Sequence, residues 1–337
     1  MSIADGWPLI VGYGSIGRRY YQNLQSLGFD DVRLVRSPAP RASALESPAT
    51  AQVYHDLQQA LAAGPSLVIV SNPTSLHVET ARTALQADLP VILEKPVSHS
   101  ASTARELLQW AGEKNARCSV AYCFRYHPLY RQLRESVQAG AIGRPFHVHS
   151  WQASFLPDWH PWEDYRGSYA ARAELGGGVV RTLDHDLDFL RWSFGQPESV
   201  IASAGPLSGI NVPVDDTADM IYRFPSRLQA CVHLSFARRD YARGVWVVGE
   251  EGTLVLDWNQ AALQLVRGKV SETIEALPDD FDLNSIYVET LRDAIRHFDE
   301  GSVAIPLADG VAALEMAIGA LQSSENGQMV DLGRIHE

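Results

Sequence analysis

The chain has 337 residues, of which 46% are hydrophobic, and its formal net charge is -12. This length is enough for more than one hydrophobic core, so we expect two domains. The acidic balance argues against a nucleic acid or an anionic membrane surface as a partner, because either would bind a positively charged patch.

Residue usage also bears on the compartment. The three cysteines, Cys118, Cys123 and Cys231, have neither an even number nor the spacing of a metal site, so neither a disulfide framework nor a zinc site is indicated. The sequence shows no signal-peptide pattern, and no apolar run reaches the roughly 18 residues needed to span a bilayer. We therefore expect a cytoplasmic protein without a membrane partner.

The first part of the chain alternates between short apolar runs and helical segments. The predicted strands are residues 8–11, 32–35, 67–70, 91–93 and 118–121, and the predicted helices are residues 15–27, 57–63, 76–87 and 101–114. Such alternation implies right-handed crossovers and a parallel sheet with both faces covered. We predict a doubly wound α/β domain over residues 1–123.

Beyond residue 124 the pattern changes to a period of two, which is typical of half-buried strands. The predicted strands are residues 146–151, 218–224, 228–236, 245–248 and 253–256, and the predicted helices are residues 128–139, 182–194, 285–298 and 309–323. We predict a second α/β domain over residues 124–337, built on an open, mostly antiparallel sheet. Its C-terminal helices can pack back on the first domain.

A glycine-rich turn follows the first predicted strand. Gly12, Gly14 and Gly17 flank Ser15 and Ile16, and a predicted helix begins here. In this setting the backbone N–H groups and the helix dipole can face a pyrophosphate, which predicts a Rossmann dinucleotide site. The alternative is a tight turn that merely requires glycine.

The end of the second predicted strand bears on which nicotinamide cofactor binds. A carboxylate there would bind the ribose diol of NAD, but the chain has Arg36 and Ser37, which suit the 2'-phosphate of NADP. NADP is therefore favoured, with NAD as the second choice. The alternative is that Arg36 is a solvated arginine in an exposed loop.

A polar loop follows the predicted strand 67–70. Asn72, Pro73, Thr74 and His77 lie where the carboxyl edge of the sheet should border the cofactor, so we expect cofactor contacts from them. The alternative is a simple capping turn, in which Thr74 or Ser75 caps the helix that contains His77.

Glu94, Lys95 and Pro96 follow the next predicted strand. A residue before proline avoids the helical region, so the Lys95 side chain can point into a crevice and exchange a proton with a substrate oxygen. The alternative is a surface ion pair between Glu94 and Lys95 of little consequence.

Several motifs together resemble one family. These are the glycine turn, Glu94-Lys95-Pro96, Phe124-Arg125-Tyr126-His127-Pro128, and Gly176-Gly177-Gly178 followed by His185 and Asp188. They resemble the glucose-fructose oxidoreductase, inositol dehydrogenase and rhizopine catabolism (Gfo/Idh/MocA) family, and the resemblance covers nearly the whole chain. The resemblance implies an N-terminal Rossmann domain and a C-terminal domain whose open sheet often mediates oligomers, so we expect a homodimer or homotetramer.

The resemblance also assigns residues. It implies that Lys95 and His185 assist proton transfer while hydride moves between nicotinamide and a sugar or cyclitol carbon. It also adds Glu94, Lys95 and Arg125 to the expected cofactor contacts. Many members carry an acid before the histidine where this chain has Thr182. Whether Asp184 replaces that acid is open.

His185 also has a structural interpretation. It lies on a predicted helix near Leu183, Leu187 and Leu190, so it can be a satisfied core histidine. Its near-neutral reference pKa suits a proton shuttle. Asp188 is expected to be a structural carboxylate or one that supports the site through another residue.

The segment 156–166 is unusually aromatic and polar. Trp162, Tyr165 and Arg166 can hold a sugar ring, together with Arg181 and Asp184, or the segment can brace an oligomer interface.

The cations Arg125, Arg166, Arg172 and Arg181 suit an acidic or nucleotide-linked sugar. The segments 159–166 and 175–188 resemble family members of surface-polysaccharide and sialic-acid-like sugar pathways. We expect no metal, because His147 and His149 share one strand face without a third ligand fixed by spacing.

The leading hypothesis is an NADP-preferring oxidoreductase acting on a secondary alcohol or ketone carbon of a sugar. A second hypothesis is an epimerase or eliminase that recycles a tightly held NAD(P). A third is a non-catalytic protein that senses a dinucleotide.

Overall fold

The computed structural model describes residues 2–37 and 46–335. They form two compact units. The first comprises Met1–Cys123 and Leu283–Val311, and the second comprises Phe124–Asp282 and Ala312–Glu337.

The first unit is built on a parallel sheet, which has six strands among the described residues in the order β3-β2-β1-β4-β5-β6. The strands are β1 (Pro8–Val11), β2 (Arg33–Val35), β3 (Val53–Tyr54), β4 (Leu67–Val70), β5 (Val91–Leu93) and β6 (Cys118–Val120). This order reverses direction between β1 and β4, as in doubly wound dinucleotide-binding folds.

The register of this sheet aligns its carboxyl ends. Val11 pairs with Val35 on one side and with Val70 on the other, and Val70 pairs with Leu93. The segments that follow β1, β2, β4 and β5 therefore leave the sheet along one edge.

Helices cover both faces of the first sheet. They are α1 (Ser15–Ser26), α2 (Leu57–Ala62), α3 (His77–Gln86) and α4 (Ala101–Lys114), joined by α8 (Asn284–Asp299) from the C-terminal region. The core includes Ile10, Leu34 and Ile69 of the sheet together with Leu291 and Phe298 of α8. Helix α8 is thus part of the first hydrophobic core.

The second unit is built on a mixed sheet with nine strands in the part of the chain described, in the order β14-β13-β12-β11-β7-β10-β9-β8-β15. The strands are β7 (Pro145–Phe155), β8 (Ser199–Gly205), β9 (Thr217–Arg223), β10 (Gln229–Ser235), β11 (Ala237–Gly249), β12 (Thr253–Asp257), β13 (Ala262–Arg267), β14 (Val270–Ala276) and β15 (Val330–Asp331). Strands β7 and β10 pair in parallel. The other neighbouring strands of this sheet in the described residues pair antiparallel.

The second unit contains α5 (Pro128–Gln138), α6 (Val179–Thr182), α7 (His185–Phe194) and most of α9 (Leu307–Asn326). The buried hydroxyl of Tyr222 on β9 donates to the carbonyl of Met316 on α9 at 3.1 Å, and Ser323 of α9 accepts from the Ala202 N–H at 3.0 Å. Helix α9 therefore packs on β8 and β9.

The α/β fold class is confirmed, with a parallel sheet first and a mostly antiparallel sheet second. Strands β3, β8, β13, β14 and β15 were not predicted, because several are short and β14 is exposed on both faces, which hides the period of two. The predicted helix 182–194 is wrong in its first part: the chain leaves the helical conformation at Leu183 (φ -99°, ψ 32°), which separates α6 from α7.

None of the helices within residues 2–37 and 46–335 combines the length and hydropathy that crossing a membrane requires.

Candidate functional site

The three glycines of the β1–α1 turn have three different reasons to be glycine. Gly12 has φ +98°, and a Cβ added there would lie 2.5 Å from the Asn72 backbone nitrogen. At Gly17 a Cβ would lie 2.1 Å from the Gly12 carbonyl oxygen. At Gly14 no described atom lies within 4 Å of an added Cβ. Gly12 and Gly17 therefore permit close backbone packing, whereas Gly14 leaves open space.

The start of α1 can hold an anion. Gly14 is the N-cap, and no side chain among the described residues caps this end of the helix. The N–H groups of Ser15, Ile16 and Gly17 are therefore available to an external acceptor, and the helix dipole favours negative charge. The open space at Gly14 lets a phosphate approach the backbone, so these residues fit the pyrophosphate of a dinucleotide.

Two arginines lie near Tyr13, which follows β1: Arg18 of α1 and Arg36 at the end of β2. The Arg36 guanidinium lies 5.5 Å from the Tyr13 ring centroid, and its Nη1 donates to Ser47 Oγ at 2.6 Å. Burial raises the pKa of Tyr13, against the lowering effect of Arg18 and Arg36. Arg18 was not predicted as part of the site, although it directly follows the glycine motif.

His77 joins two loops at the sheet edge. Its Nδ1 lies 2.8 Å from the Pro96 carbonyl oxygen and its Nε2 lies 2.9 Å from the Asn72 carbonyl oxygen. Burial lowers the pKa of His77 to about 4, even though both carbonyl contacts favour the protonated ring. The neutral ring can donate to only one of the two carbonyls.

The capping role suggested for Thr74 or Ser75 is wrong. Thr74 is buried in a short 3-10 helix (Thr74–Leu76) that follows Pro73, and α3 begins after Leu76 with no side-chain cap bond in the described structure. Asn72 is fixed instead by donating from Nδ2 to Thr80 Oγ1 at 2.9 Å.

Glu94 is buried at the carboxyl end of β5, with 7% of its surface exposed. One carboxylate oxygen accepts from the Tyr20 hydroxyl, and the other accepts from the Lys95 N–H at 3.0 Å. Burial raises the pKa of Glu94, against the lowering effect of Tyr20 and Lys95. The alternative of a surface ion pair between Glu94 and Lys95 is therefore wrong. The Lys95–Pro96 peptide bond is cis.

In the second unit, buried carboxylates surround the start of α7. Asp188 accepts from Arg125 Nε at 2.9 Å and Nη2 at 2.5 Å. Asp186 accepts from Ser150 Oγ at 2.5 Å and from Arg243 Nη2 at 3.0 Å. Asp188 therefore forms a bidentate ion pair with Arg125, and its role as a structural carboxylate stays a prediction. Arg125 carries this ion pair while only 9% exposed, and its contact with a cofactor stays a prediction.

His185 is the first residue of α7 and is 8% exposed. Its ring centroid is 4.8 Å from that of Phe124. Asp184, the N-cap of α7, is fully buried. Asp184 and His185 are thus chain neighbours at the start of α7, and Arg125 is bound to Asp188 of the same helix.

The aromatic segment is only partly available to a ligand. Trp162 is 61% exposed and stacks on His160 with ring centroids 5.2 Å apart. The Tyr165 hydroxyl donates to the Ile210 carbonyl at 2.7 Å. Arg166 lies 3.7 Å from Asp164 and over the Tyr165 ring.

Arg181 contacts the backbone and influences the pKa of a buried acid. Its Nη1 donates to the Gly177 carbonyl at 3.4 Å. Burial raises the pKa of the nearby Asp215 to about 6, against the lowering effect of the Val180 N–H and Arg181. Asp215 was not predicted, and its carboxylate also explains Gly178, where an added Cβ would lie 2.2 Å from Asp215 Oδ1.

Histidines of the sheet give no metal site. His147 and His149 do lie on one face of β7, with His149 against Trp151 and Trp246. Within residues 2–37 and 46–335, no group of three or more His, Cys, Asp or Glu side chains could hold a metal ion.

Comparison with known proteins identifies the family. Residues 8–122 match an oxidoreductase family with an NAD-binding Rossmann fold, Gfo/Idh/MocA, and residues 130–255 match the C-terminal domain of the same family. The chain belongs to the Gfo/Idh/MocA oxidoreductase family. The predicted resemblance, the enzyme class and the NAD-binding Rossmann domain are confirmed.

Individual relatives of this Gfo/Idh/MocA chain are distant but match end to end. A 1,5-anhydro-D-fructose reductase from Ensifer adhaerens is 25% identical over 97% of this chain and 98% of its own. An inositol 2-dehydrogenase from Rhizobium meliloti (strain 1021) is 25% identical over 96% and 98%. A levoglucosan dehydrogenase structure, in complex with NADH and L-sorbose, has a TM-score of 0.82 at 18% identity, covering 97% and 98%. This last likeness shows the fold.

The glycine turn yields a prediction that separates packing from ligand approach. Gly17→Ala should lower the free energy of unfolding of the cofactor-free protein by about 1–3 kcal/mol, because the new Cβ would overlap backbone. Gly14→Ala is the matched control and should change it by less than about 1 kcal/mol, while weakening dinucleotide binding. Urea unfolding and fluorescence titration measure both effects, and equal destabilisation by the two variants would contradict this account.

His127 yields a prediction about pH. It is fully buried among Phe124, Tyr130, Trp258 and Phe281, and neither ring nitrogen has a hydrogen-bond partner among the described residues. Burial, with a smaller effect of Arg243, lowers the pKa of His127 to about 3. Because the unfolded chain then binds the proton first, the folded protein should lose stability as pH falls from about 6.5 towards 3.

The variant His127→Phe should remove this proton linkage. The slope of unfolding free energy against pH should decrease by up to about 1.4 kcal/mol per pH unit in that window, as expected for one proton. His77 has a depressed pKa of the same sign, so a smaller slope should remain. Urea unfolding between pH 4 and pH 7 measures it, and an unchanged slope would refute the assignment.

Proposed function

We propose that this protein transfers a hydride between NADP and a secondary alcohol or ketone carbon of a sugar or sugar derivative. The bound nicotinamide supplies or accepts the hydride. Lys95 donates a hydrogen bond to the reacting oxygen, and His185 delivers the proton that this oxygen gains on reduction and accepts it on oxidation. The observation that carries this proposal is the buried Glu94 carboxylate, which fixes the Lys95 backbone at the carboxyl edge of a dinucleotide-binding sheet.

The chemistry of the first unit supports this role for Lys95. The ligand edge of a doubly wound sheet is the one at the carboxyl ends of its strands, and Lys95 follows β5 at this edge, half-buried. Gly12, Gly14 and Gly17, with Ser15 and Ile16, hold the pyrophosphate. The names of the relatives, a sugar reductase and a cyclitol dehydrogenase, favour a polyhydroxylated substrate.

The loop after β4 contributes to the cofactor site in two ways. Asn72, Pro73 and Thr74 provide the contacts, whereas His77 acts through them. Its ring nitrogens face the Asn72 and Pro96 carbonyls, so His77 positions both loops at the edge.

The preference for NADP rests on Arg36. Its side chain lies over Tyr13 beside Arg18 at the end of β2, and Ser37 follows. A 2'-phosphate carries two negative charges that such cations bind strongly. NAD binding at this site would leave the guanidinium without an anion.

The substrate side is formed by Trp162, Tyr165, Arg166, Arg181 and Asp184. Three of the four cations that favoured an acidic sugar are paired with carboxylates: Arg125 with Asp188, Arg166 with Asp164 and Arg172 with Glu174. An acidic or nucleotide-linked sugar therefore depends chiefly on Arg181, and neutral sugars belong in any substrate panel.

For the association state and the compartment, the expectations from the sequence are kept as proposals. We propose a homodimer or homotetramer in the cytoplasm. The exposed Ile201, Ile221 and Trp246 on the second sheet supply apolar surface for association with a second copy.

The catalytic assignment is tested by Lys95→Met and His185→Asn. Each should lower kcat with NADPH and a responsive sugar by about 10²–10⁴-fold, the range for loss of a positioned proton donor. The dissociation constant for NADPH should change by less than about threefold, because neither change removes a pyrophosphate contact.

Lys269→Met is the matched control, since it removes an exposed lysine from the turn between β13 and β14. It should leave kcat unchanged. Full turnover by Lys95→Met with intact dinucleotide binding would refute the proposed catalyst.

The cofactor preference is tested by Arg36→Gln. Loss of a charged contact worth roughly 1.5–3 kcal/mol should weaken NADPH binding by about 10–100-fold and leave NADH binding nearly unchanged. Arg33→Gln is the control: Arg33 lies at the start of β2, where it pairs with Asp31 at 2.8 Å. Tenfold tighter binding of NADH than of NADPH by the unmodified protein would overturn the preference.

A further inference from the structure

Arg243 lies completely buried in the second unit, at the base of α7. Its side chain and that of Asp186 are both 0% exposed. The guanidinium donates from Nη2 to Asp186 Oδ2 at 3.0 Å and from Nε to the Tyr130 hydroxyl at 2.7 Å. It also lies 3.8 Å from the centroid of the Phe124 ring. A single side chain of β11 therefore contacts α5, α7 and the aromatic ring that precedes Arg125.

The first connection from Arg243 to His185 runs through the chain. Asp186 is the residue after His185, and both of its oxygens are bound: one by Arg243 and one by Ser150 of β7. A carboxylate held from two strands in a dry environment has little freedom. Because the two residues share a peptide unit, this fixes the backbone from which the His185 side chain starts.

The second connection runs through space. The centroid of the Phe124 ring lies 3.8 Å from the Arg243 guanidinium carbon and 4.8 Å from the centroid of the His185 ring. A guanidinium over an aromatic face is attracted by the ring quadrupole, most strongly when both are desolvated. The position of the Phe124 ring therefore depends on Arg243, and the His185 ring packs against Phe124.

A buried ion pair is by itself weak evidence that the pair stabilises the fold. Taking a guanidinium and a carboxylate out of water is costly, and well-packed apolar residues often stabilise a fold equally well. What an ion pair adds is direction, since its hydrogen bonds allow few geometries. Here both connections lead to the same imidazole.

We propose that Arg243 is a positioning residue that sets the His185 ring for proton transfer, through Asp186 and Phe124. This rests on the proposed function, in which His185 moves the proton. A displacement of about 1 Å in a catalytic group can cost roughly 10²-fold in rate without weakening binding. Arg243 therefore contributes to kcat, not to the affinity for cofactor or sugar.

A double-mutant cycle tests this assignment. Arg243→Lys keeps the charge beside Asp186 but loses the planar group over Phe124 and the bond from Nε to Tyr130. In the otherwise unmodified protein it should lower kcat by about 10–100-fold, with KM and the NADPH dissociation constant within about threefold. In the His185→Ala background the same change should alter kcat by less than about twofold, because there is no imidazole left to position.

Two further variants keep the test informative. Phe124→Leu should reproduce the pattern, with a loss of kcat that disappears in the His185→Ala background, even if Arg243→Lys fails to fold. Arg134→Lys is the matched control: Arg134 also contacts α7, through the Trp192 carbonyl at 3.0 Å and the Trp192 ring, but at the end away from His185. It should leave kcat unchanged.

The outcomes separate the inference from the function on which it rests. Full activity of His185→Ala would overturn the proposed proton donor, and the role of Arg243 with it. If His185→Ala loses activity but Arg243→Lys costs the same factor in both backgrounds, Arg243 only supports the fold and the inference is overturned. A change confined to KM would overturn it as well.

Discussion

A carboxylate removed from water must be met by hydrogen-bond donors, and this requirement fixes the backbone at both candidate catalytic residues. Glu94 precedes Lys95 and is held by the Tyr20 hydroxyl and by the Lys95 N–H itself. Asp186 follows His185 and is held by Ser150 and Arg243. In each unit the residue for which we propose proton transfer is thus the chain neighbour of a buried acid, and the donors of that acid determine its position. Removing such a donor would leave a buried charge without compensation, which is more costly than losing the bond alone.

The dinucleotide edge depends on a different constraint, the absence of side-chain volume. The turn after β1 passes so close to Asn72 that Gly12 has no room for a Cβ, and α1 starts so close to Gly12 that Gly17 has none. The helix N-terminus is thereby brought to the sheet edge, where its N–H groups and dipole favour an anion. The in-register pairing of β1, β4 and β5 then aligns the following loops along the same edge. Backbone geometry therefore leaves this edge open to an anion.

The carboxylates near His185 bear on the acid that the family resemblance led us to expect before this histidine. Thr182 stands at the expected place of that acid, and three acids follow closely. Asp186 and Asp188 are each bound to a buried arginine, and these ion pairs fix the positions of the two carboxylates. Asp184 is buried at the N-cap of α7, one residue before His185. In this chain, which is about 25% identical to its named relatives, two of the acids near His185 are thus held by ion pairs with buried arginines.

Much of the fold could be predicted from the sequence because the sequence patterns that indicate it are local. Alternating strands and helices, the glycine turn and the Glu94-Lys95-Pro96 segment each follow from neighbours within a few residues, so they predicted the parallel sheet and its ligand edge. Polar or short strands such as β14 and β15 carry no such periodicity, and the break at Leu183 left no breaker residue to read. Nor does the sequence distinguish the buried Arg243 from the exposed Arg238 on the same strand. That difference arises from partners 57 and 113 positions away, and only the tertiary structure brings them together, because burial and charge pairing are properties of the packed chain and not of its local pattern.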